Sequence, residues 1–334
     1  MPGEIWHCLF VPPPFGWKLD MTPQQACRIC GSPYGEGEVI GPLTDRRKGL
    51  DGSWGLRSCG NCFAIAMDPL PSDEDLSVFY ASYAQDEHVD LSRKWTSDFP
   101  RLRKVFHWLS GDVDPRDFVR VPEGARVLDY GCGHAGYLRE FHERGVAITG
   151  AEIAGYLVAA CREAGFDVRQ VEGFSKIPFE DSEFDVVYLM QVFEHLRDPH
   201  QFMEELARIL KPGGSLYLAL PNAASVWRRV FGANWVSGWF APFHLFHYDR
   251  GALARLAGQH HFQVVDSWSR TPASWFRLNL KAWIHAEDNR VDWRKSWLDN
   301  RIVAFLLMPM LRLIEIPIRE RDCLVIHLKK DGDG

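Results

Sequence analysis

Three groups of residues have the types and spacing to do chemistry. The first is Cys27-Arg28-Ile29-Cys30 together with Cys59-Gly60-Asn61-Cys62. Each C-x-x-C sets two thiols at the separation one tetrahedral Zn²⁺ requires, and Gly31 and Gly60 ease the tight turns. Four thiolates, Cys27, Cys30, Cys59 and Cys62, would close the coordination shell, so such a metal folds the segment and does not catalyse. The second group is Asp129-Tyr130-Gly131-Cys132-Gly133, entered from the apolar run Arg126-Val127-Leu128. Glycines at a strand end let the backbone bend and approach a ligand closely. A helix starting near Ala135 would aim free N–H groups into the same turn. The third group is Glu194-His195, with His244 further on. An imidazole can take a proton from a hydroxyl near neutral pH.

The elements that must position these groups follow in a regular order. Val146–Ile153 is a second apolar run that carries Glu152 near its tip, where a carboxylate can accept both hydroxyls of a ribose. A helical stretch over Tyr156–Ala164 precedes a third strand, Asp167–Val171, and Val186–Met190 is the fourth. Phe202–Leu210 is an amphipathic helix that Lys211-Pro212-Gly213-Gly214 stops. Ser215–Leu220 is a fifth strand; a helix over Arg250–Gln259, a strand over Phe262–Val265 and a last strand over Asp322–Lys329 complete the order. This rhythm predicts an α/β fold, a parallel sheet with helices on both faces. The Gly131–Gly133 turn fits the dinucleotide fingerprint less well, because the third glycine is displaced to Gly136. No Gly-Lys-Ser/Thr follows, so it is not a P-loop.

In this order the motifs resemble those of class I S-adenosylmethionine (SAM) methyltransferases. Asp129-x-Gly131-x-Gly133 is similar to their first motif. Ile177-Pro178-Phe179-Glu180-Asp181-Ser182-Glu183-Phe184-Asp185-Val186-Val187 closely resembles their lPF-dd-FDvV passage. The likeness runs from Ala125 to Val265, and ubiquinone-biosynthesis-type and other small-molecule methyltransferases share a pair like Glu194-His195. It implies a Rossmann-like class I methyltransferase sheet. SAM would be held by Asp129, Gly131, Cys132, Gly133, Glu152, Ile153, Phe174 and Gln191, with Gln191 on the methionine part. His195 would be the base or substrate contact, and Glu194 would orient its neighbours. His244 matches a P-x-H-L-x-x-[FY] turn at the pocket mouth of related enzymes, here Pro242 to Tyr248. No HExxH occurs, so a catalytic metal is not indicated unless the fold brings histidines together. Cys27–Tyr83 resembles the zinc-ribbon lead of methyltransferases from sugar and natural-product pathways, whose paired tyrosines here are Tyr80 and Tyr83.

The expected organisation is a lead over 1–26, a small N-terminal zinc ribbon over 27–68, a helical connector over 69–124 and the SAM domain over 125–334. Within the last, 271–320 is an insertion that serves as lid or interface. Its stretch Ile302–Ile318 is too short and too charged to span a membrane, and Pro309 would kink it. Core or lid packing is the favoured reading; a dimer face or a membrane-surface segment through 297–318 is the other. No secretory signal is visible, so the expectation is a cytoplasmic enzyme, a setting that argues against paired disulfides. A redox C-x-x-C would head a helix in a βαβ context, and none precedes Cys27. Net charge is −6, with no clear basic-aromatic stripe, which argues against a nucleic-acid partner. The favoured function is methyl transfer to a hydroxyl of a small molecule, a sugar-bearing or secondary-metabolite substrate. The alternatives are an RNA methyltransferase that uses the ribbon for RNA contact, separable by surface potential, and a non-catalytic SAM-binding scaffold, separable by binding without turnover.

Overall fold

The computed structural model describes residues 26–34, 37–47, 49–84, 100–171, 177–285 and 296–332, the side chains of 81–84 and 100–103 excepted. The lead up to residue 25, Phe174 and the side chain of Tyr83 therefore lie outside the described residues. Strands β1 (Val39–Leu43), β2 (Trp54–Ser58) and β3 (Ile65–Met67) come first, and the second C-x-x-C forms the turn between β2 and β3. Helices α1 (Asp73–Ala84), α2 (Pro100–Ser110) and α3 (Pro115–Phe118) follow. The alternating part is β4 (Arg126–Tyr130), α4 (Gly136–His142), β5 (Ala147–Glu152), α5 (Gly155–Glu163), β6 (Val168–Gln170), β7 (Phe184–Met190), α6 (Pro199–Ile209) and β8 (Leu210–Pro221). Then come α7 (Val226–Phe231), α8 (Val236–Trp239), β9 (Phe246–His247), α9 (Arg250–Gln259), β10 (Phe262–Arg270), α10 (Ala273–Ile284), α11 (Arg301–Ile314) and β11 (Cys323–Lys330).

The main sheet has seven strands in the order β10-β11-β8-β7-β4-β5-β6. β4 pairs in parallel with β5 and β7, and β7 with β8, whereas β11 runs antiparallel to both neighbours. Strands covered on both faces must be apolar throughout; Val127, Leu128, Val187, Leu218 and Leu220 are accordingly buried. α6 shows why its segment is helical. Asp198 caps it by accepting from the Gln201 N–H at 3.0 Å, Pro199 opens it, and Phe202, Met203, Leu206 and Ile209 line its buried face. Each such side chain contributes about 1.5–3 kcal/mol of burial. The strand ends at Tyr130, Glu152 and Met190 place the Gly131 turn, the acidic tip and the Gln191 segment along one edge of the sheet.

Three expectations change. Lys211–Gly214 does not separate helix from strand: α6 ends at Ile209, Leu210 already pairs with Phe184, and 211–214 bulge out before Ser215 meets Val186. The ribbon is not closed on itself, because its sheet runs β1-β2-β3-β9 and takes its fourth strand from residues 246–247. Of the favoured core or lid packing of 302–318, the core alternative does not hold for most of α11. Leu311 is buried, but Ile302, Phe305, Leu306, Met310, Leu313 and Ile314 are exposed, as are Trp283 and Trp297 nearby in sequence. Among the described residues no helix is long and apolar enough to cross a membrane.

Candidate active site

The cradle after β4 is built by hydrogen bonds between the first two strands. The N–H groups of Gly131 and Cys132 both donate to the Ala151 carbonyl, at 2.8 and 3.1 Å. The Gly133 N–H donates to Glu152 Oε2 at 3.0 Å, while Oε1 accepts from the Ile153 and Ala154 amides. These turn amides are therefore spent on β5 and its tip. Glu152 keeps lone-pair capacity on Oε2 for a ribose hydroxyl. Gly133 has φ +51°, and nothing lies within 4 Å of where its Cβ would stand. That open space against bare backbone is where a nucleoside can approach. Gly131 is held by the opposite constraint: a Cβ there would lie 2.4 Å from Val192 Cγ2. Asp129 is buried beside the Tyr188 hydroxyl, and burial, partly offset by that hydroxyl and reinforced by the Glu152 charge, pushes its carboxyl up to about 7. Cys132 points its sulfur into the packing against Gly150, so only its backbone serves the turn. Ile153 is exposed beside Glu152, an apolar surface for a base. The bare approach at Gly133 and the carboxylate at the second strand tip fit a bound SAM nucleoside.

Two cavities open along the same edge. The larger, about 910 Å³, is lined by Val105, Phe106, Val113, Tyr137, Met190 and Gln191 among others, with Asp112 and Asp114 on its rim. Arg116 pairs with Asp114 and Glu140 there. The smaller, about 390 Å³, is lined by Arg47, Tyr80, Gln191, His195, Ser237, Phe240, Phe243 and His244. Gln191 and Trp275 belong to both walls. Gln191 adopts φ +56°, a conformation few non-glycine residues hold, and its Nε2 donates to the Ala219 carbonyl at 3.1 Å.

His195 and His244, predicted separately, meet: their rings stand 4.7 Å apart at 84°. His195 Nδ1 is 2.9 Å from the Phe243 carbonyl and 3.0 Å from the Tyr80 hydroxyl. A carbonyl only accepts, so Nδ1 carries the proton and Nε2 keeps its lone pair. His244 Nδ1 donates likewise to the Gly238 carbonyl at 2.7 Å. Burial pushes the His195 imidazole down to about 4 and His244 well below its ordinary value. Both rings are neutral across the physiological range, which makes His195 a weaker base than the sequence suggested. Glu194 sits beneath them with no exposed surface, and burial raises its carboxyl to about 8. Sequence reasoning gave Glu194 an orienting or helix-capping role, counted Trp275 among the late tryptophans able to line a pocket, and missed Arg47 and Ser237; no spacing signal links such distant segments.

The four ribbon cysteines converge. Cys27 and Cys62 sulfurs are 3.6 Å apart, as are Cys30 and Cys59, and all four lie within 4.8 Å of one another. A disulfide needs about 2.05 Å, whereas the edge of a tetrahedron with Zn–S of 2.3 Å is about 3.8 Å. The Ile29 and Asn61 amides each donate to a cysteine sulfur at 3.4 Å, support suited to thiolates. The donor set fits one zinc ion.

Comparison with known proteins bears on these observations. A family model described as a methyltransferase domain matches residues 86–267, more than half of the chain. A ubiquinone biosynthesis O-methyltransferase of Maricaulis maris (strain MCS10) is 34% identical over 134 residues, 37% of this chain and 53% of that protein. One of the same name from Xanthomonas axonopodis pv. citri (strain 306) is 37% identical over 171 residues, 48% of this chain and 70% of that protein. Cycloartenol-C-24-methyltransferase 1 of Oryza sativa subsp. japonica is 31% identical over 150 residues, 42% of each chain. The likeness thus spans between 42% and 70% of these relatives' lengths.

Proposed function

We propose, from the premise that this chain belongs to the methyltransferase-domain family, that it moves a methyl group from SAM to a hydroxyl of a small molecule. SAM supplies an electrophilic methyl on its sulfonium. What the chain must add is alignment and removal of one proton. Glu152 and the open face at Gly133 take the nucleoside, and Gln191 marks the methionine end. The acceptor lies in the larger cavity and reaches the smaller one past Gln191 and Trp275, so that its hydroxyl meets His195 and His244.

The observation that carries this reading is the shared wall: Gln191, just beyond β7, lines both the larger cavity and the smaller one that holds His195 and His244. Two relatives named as O-methyltransferases support oxygen as acceptor and one named as a C-24-methyltransferase supports carbon; we favour the hydroxyl of an apolar molecule. The apolar lining at Val105, Phe106, Leu109 and Val113 suits such a molecule. A structural zinc on Cys27, Cys30, Cys59 and Cys62 completes the assignment.

The test is transfer of isotopically labelled methyl from SAM to a panel of hydroxylated aromatic, isoprenoid and sugar-bearing acceptors. Loss of a general base costs about 10²–10⁴-fold in rate, and His195→Ala should fall in that range while SAM affinity holds. Full turnover in that variant leaves His195 a packing residue; no transfer to any acceptor, with SAM bound, turns the reading toward a scaffold.

A further inference from the structure

The smaller cavity ends in an arrangement that neither acid–base roles nor packing accounts for. Glu194, His195 and His244 each bring one donor atom within 4.8 Å of the other two. His244 Nε2 is 3.8 Å from Glu194 Oε1. Both Glu194 carboxyl oxygens are buried and have no hydrogen-bond partner, and the residue has no exposed surface. An unsatisfied buried carboxyl carries an uncompensated desolvation cost, and a native core does not keep one without use. The two imidazoles are oriented by the bonds an outer shell supplies to metal-ligating histidines: each Nδ1–H is fixed to a main-chain carbonyl, of Phe243 and of Gly238. That leaves Nε2 of each ring as its lone-pair donor. The main chain holds all three in place, since the Leu245 N–H donates to the Glu194 carbonyl at 2.8 Å.

We propose that Glu194, His195 and His244 bind a divalent transition-metal ion at the wall of the smaller cavity that His195 and His244 line, with Glu194 behind it and the remaining positions open to the acceptor. Two imidazole nitrogens and one carboxylate oxygen suit Zn²⁺, Fe²⁺ or Co²⁺ and suit Mg²⁺ poorly. Metal–ligand distances near 2.1 Å place tetrahedral donors about 3.4 Å apart, so His244 Nε2 and Glu194 Oε1, now 3.8 Å apart, close by a few tenths of an ångström, and the His195 donor draws in from within 4.8 Å of them. This site is separate from the ribbon, whose ligands are all sulfur.

The inference rests on the proposed methyl transfer for its use. An acceptor hydroxyl bound at an open position ionises more readily than in water. Its O–H bond breaks and the proton leaves to solvent. The oxygen lone pair then forms the new O–CH₃ bond as the S–CH₃ bond breaks, and the neutral thioether departs with the former bonding pair. Arg47, whose guanidinium stacks 3.8 Å from the Phe240 ring centroid, faces the same cavity and favours that oxyanion. His195 is then a ligand, not the proton acceptor.

Cobalt substitution of the full chain separates the two sites, because thiolate ligands give an intense near-ultraviolet charge-transfer band and imidazole and carboxylate ligands do not. The expected result is two Co²⁺ per chain by elemental analysis. One generates the thiolate band; the other adds only visible ligand-field absorption and is lost in Glu194→Gln and His244→Asn, with the thiolate band and cooperative melting retained. Affinity for the second ion should fall by more than the roughly 10–100-fold that loss of an outer-shell partner costs. A wild-type protein whose cobalt is all accounted for by the thiolate band overturns the proposal, and that measurement stands even where a variant fails to fold. Methyl transfer by protein lacking the second ion removes the site and leaves the proposed function; a second ion in a protein that does not bind SAM does the reverse.

Discussion

Gly131 and Gly133 stand two residues apart with φ of +80° and +51°, and replacement of each by alanine should break a different thing. At Gly131 the added Cβ falls 2.4 Å from Val192 Cγ2. Valine is stiff at χ1 and cannot swing aside freely. Left-handed backbone costs an L residue about 1–2 kcal/mol, and overpacking adds roughly 1–3 kcal/mol. Gly131→Ala should therefore lose about 2–5 kcal/mol of stability. At Gly133 the space is open, so only the backbone cost of about 1–2 kcal/mol applies. Its methyl, however, occupies the approach to the nucleoside. Denaturant melts of both variants, with calorimetric titration of SAM, separate the two effects. Gly133→Ala should melt lower by only about 2–4 °C for each of its 1–2 kcal/mol, a smaller loss than that of Gly131→Ala, and bind SAM at least tenfold more weakly, about 1.4 kcal/mol. Gly131→Ala should melt lower by several degrees, at about 2–4 °C per kcal/mol. Equal stability losses, or wild-type SAM affinity in Gly133→Ala, would refute the assignment of the open face to the ligand.

Other outcomes follow from single contacts. Glu152→Ala frees the Gly133, Ile153 and Ala154 amides and should weaken SAM by roughly 1–3 kcal/mol; calorimetry that finds no change removes Glu152 from the site. Asp129 has a folded pKa of about 7 against 3.8, so the stability it contributes is full below pH 4 and is lost as pH rises through 7. Asp129→Asn should flatten the stability–pH curve between those values by on the order of 4 kcal/mol, checked by urea melts across that range. Glutamate at both Phe305 and Leu306, exposed on α11, should abolish any self-association or vesicle binding seen by sedimentation, because a charge there disrupts the apolar face. Unchanged sedimentation with either would clear that face of the role.

The donor half of this site was legible in the sequence because its information is local. The alternation of apolar runs with helical segments sets β4 to β8, and Asp129, Gly131 and Gly133 lie within five residues of one another. The bulge at 211–214 was misread because proline and glycine usually stop elements, whereas the pairing of Leu210 with Phe184 that carries the strand backward is non-local. The Glu194–His244 encounter joins residues fifty positions apart and is made by a loop with no period to read. The exposure of α11 was hidden for another reason: an apolar pattern says that a face exists, not what covers it.

The acceptor half depends on the ribbon through the main chain. β3 pairs with β9, Ile65 opposite His247 and Ala66 opposite Phe246. The Met67 N–H donates to the Leu245 carbonyl, and the Leu245 N–H to the Glu194 carbonyl, each at 2.8 Å. One backbone bond thus separates the ribbon sheet from the segment carrying His244, and a second reaches Glu194. Two further ties bind the same face. α1 follows β3 and brings Tyr80 to His195. Arg46, between β1 and β2, donates to the Ala282 and His285 carbonyls at the end of α10, and α10 contributes Trp275 to both cavities. The nucleoside cradle, in contrast, is closed by bonds from the turn after β4 to β5 and its tip, with the Cys161 thiol of α5 on the Gly133 carbonyl. The ribbon segment and α1 therefore form a wall of the smaller cavity through Arg47 and Tyr80, and damage to the four-cysteine knuckle should reach Glu194, His195 and His244 before it reaches Asp129, Gly133 and Glu152.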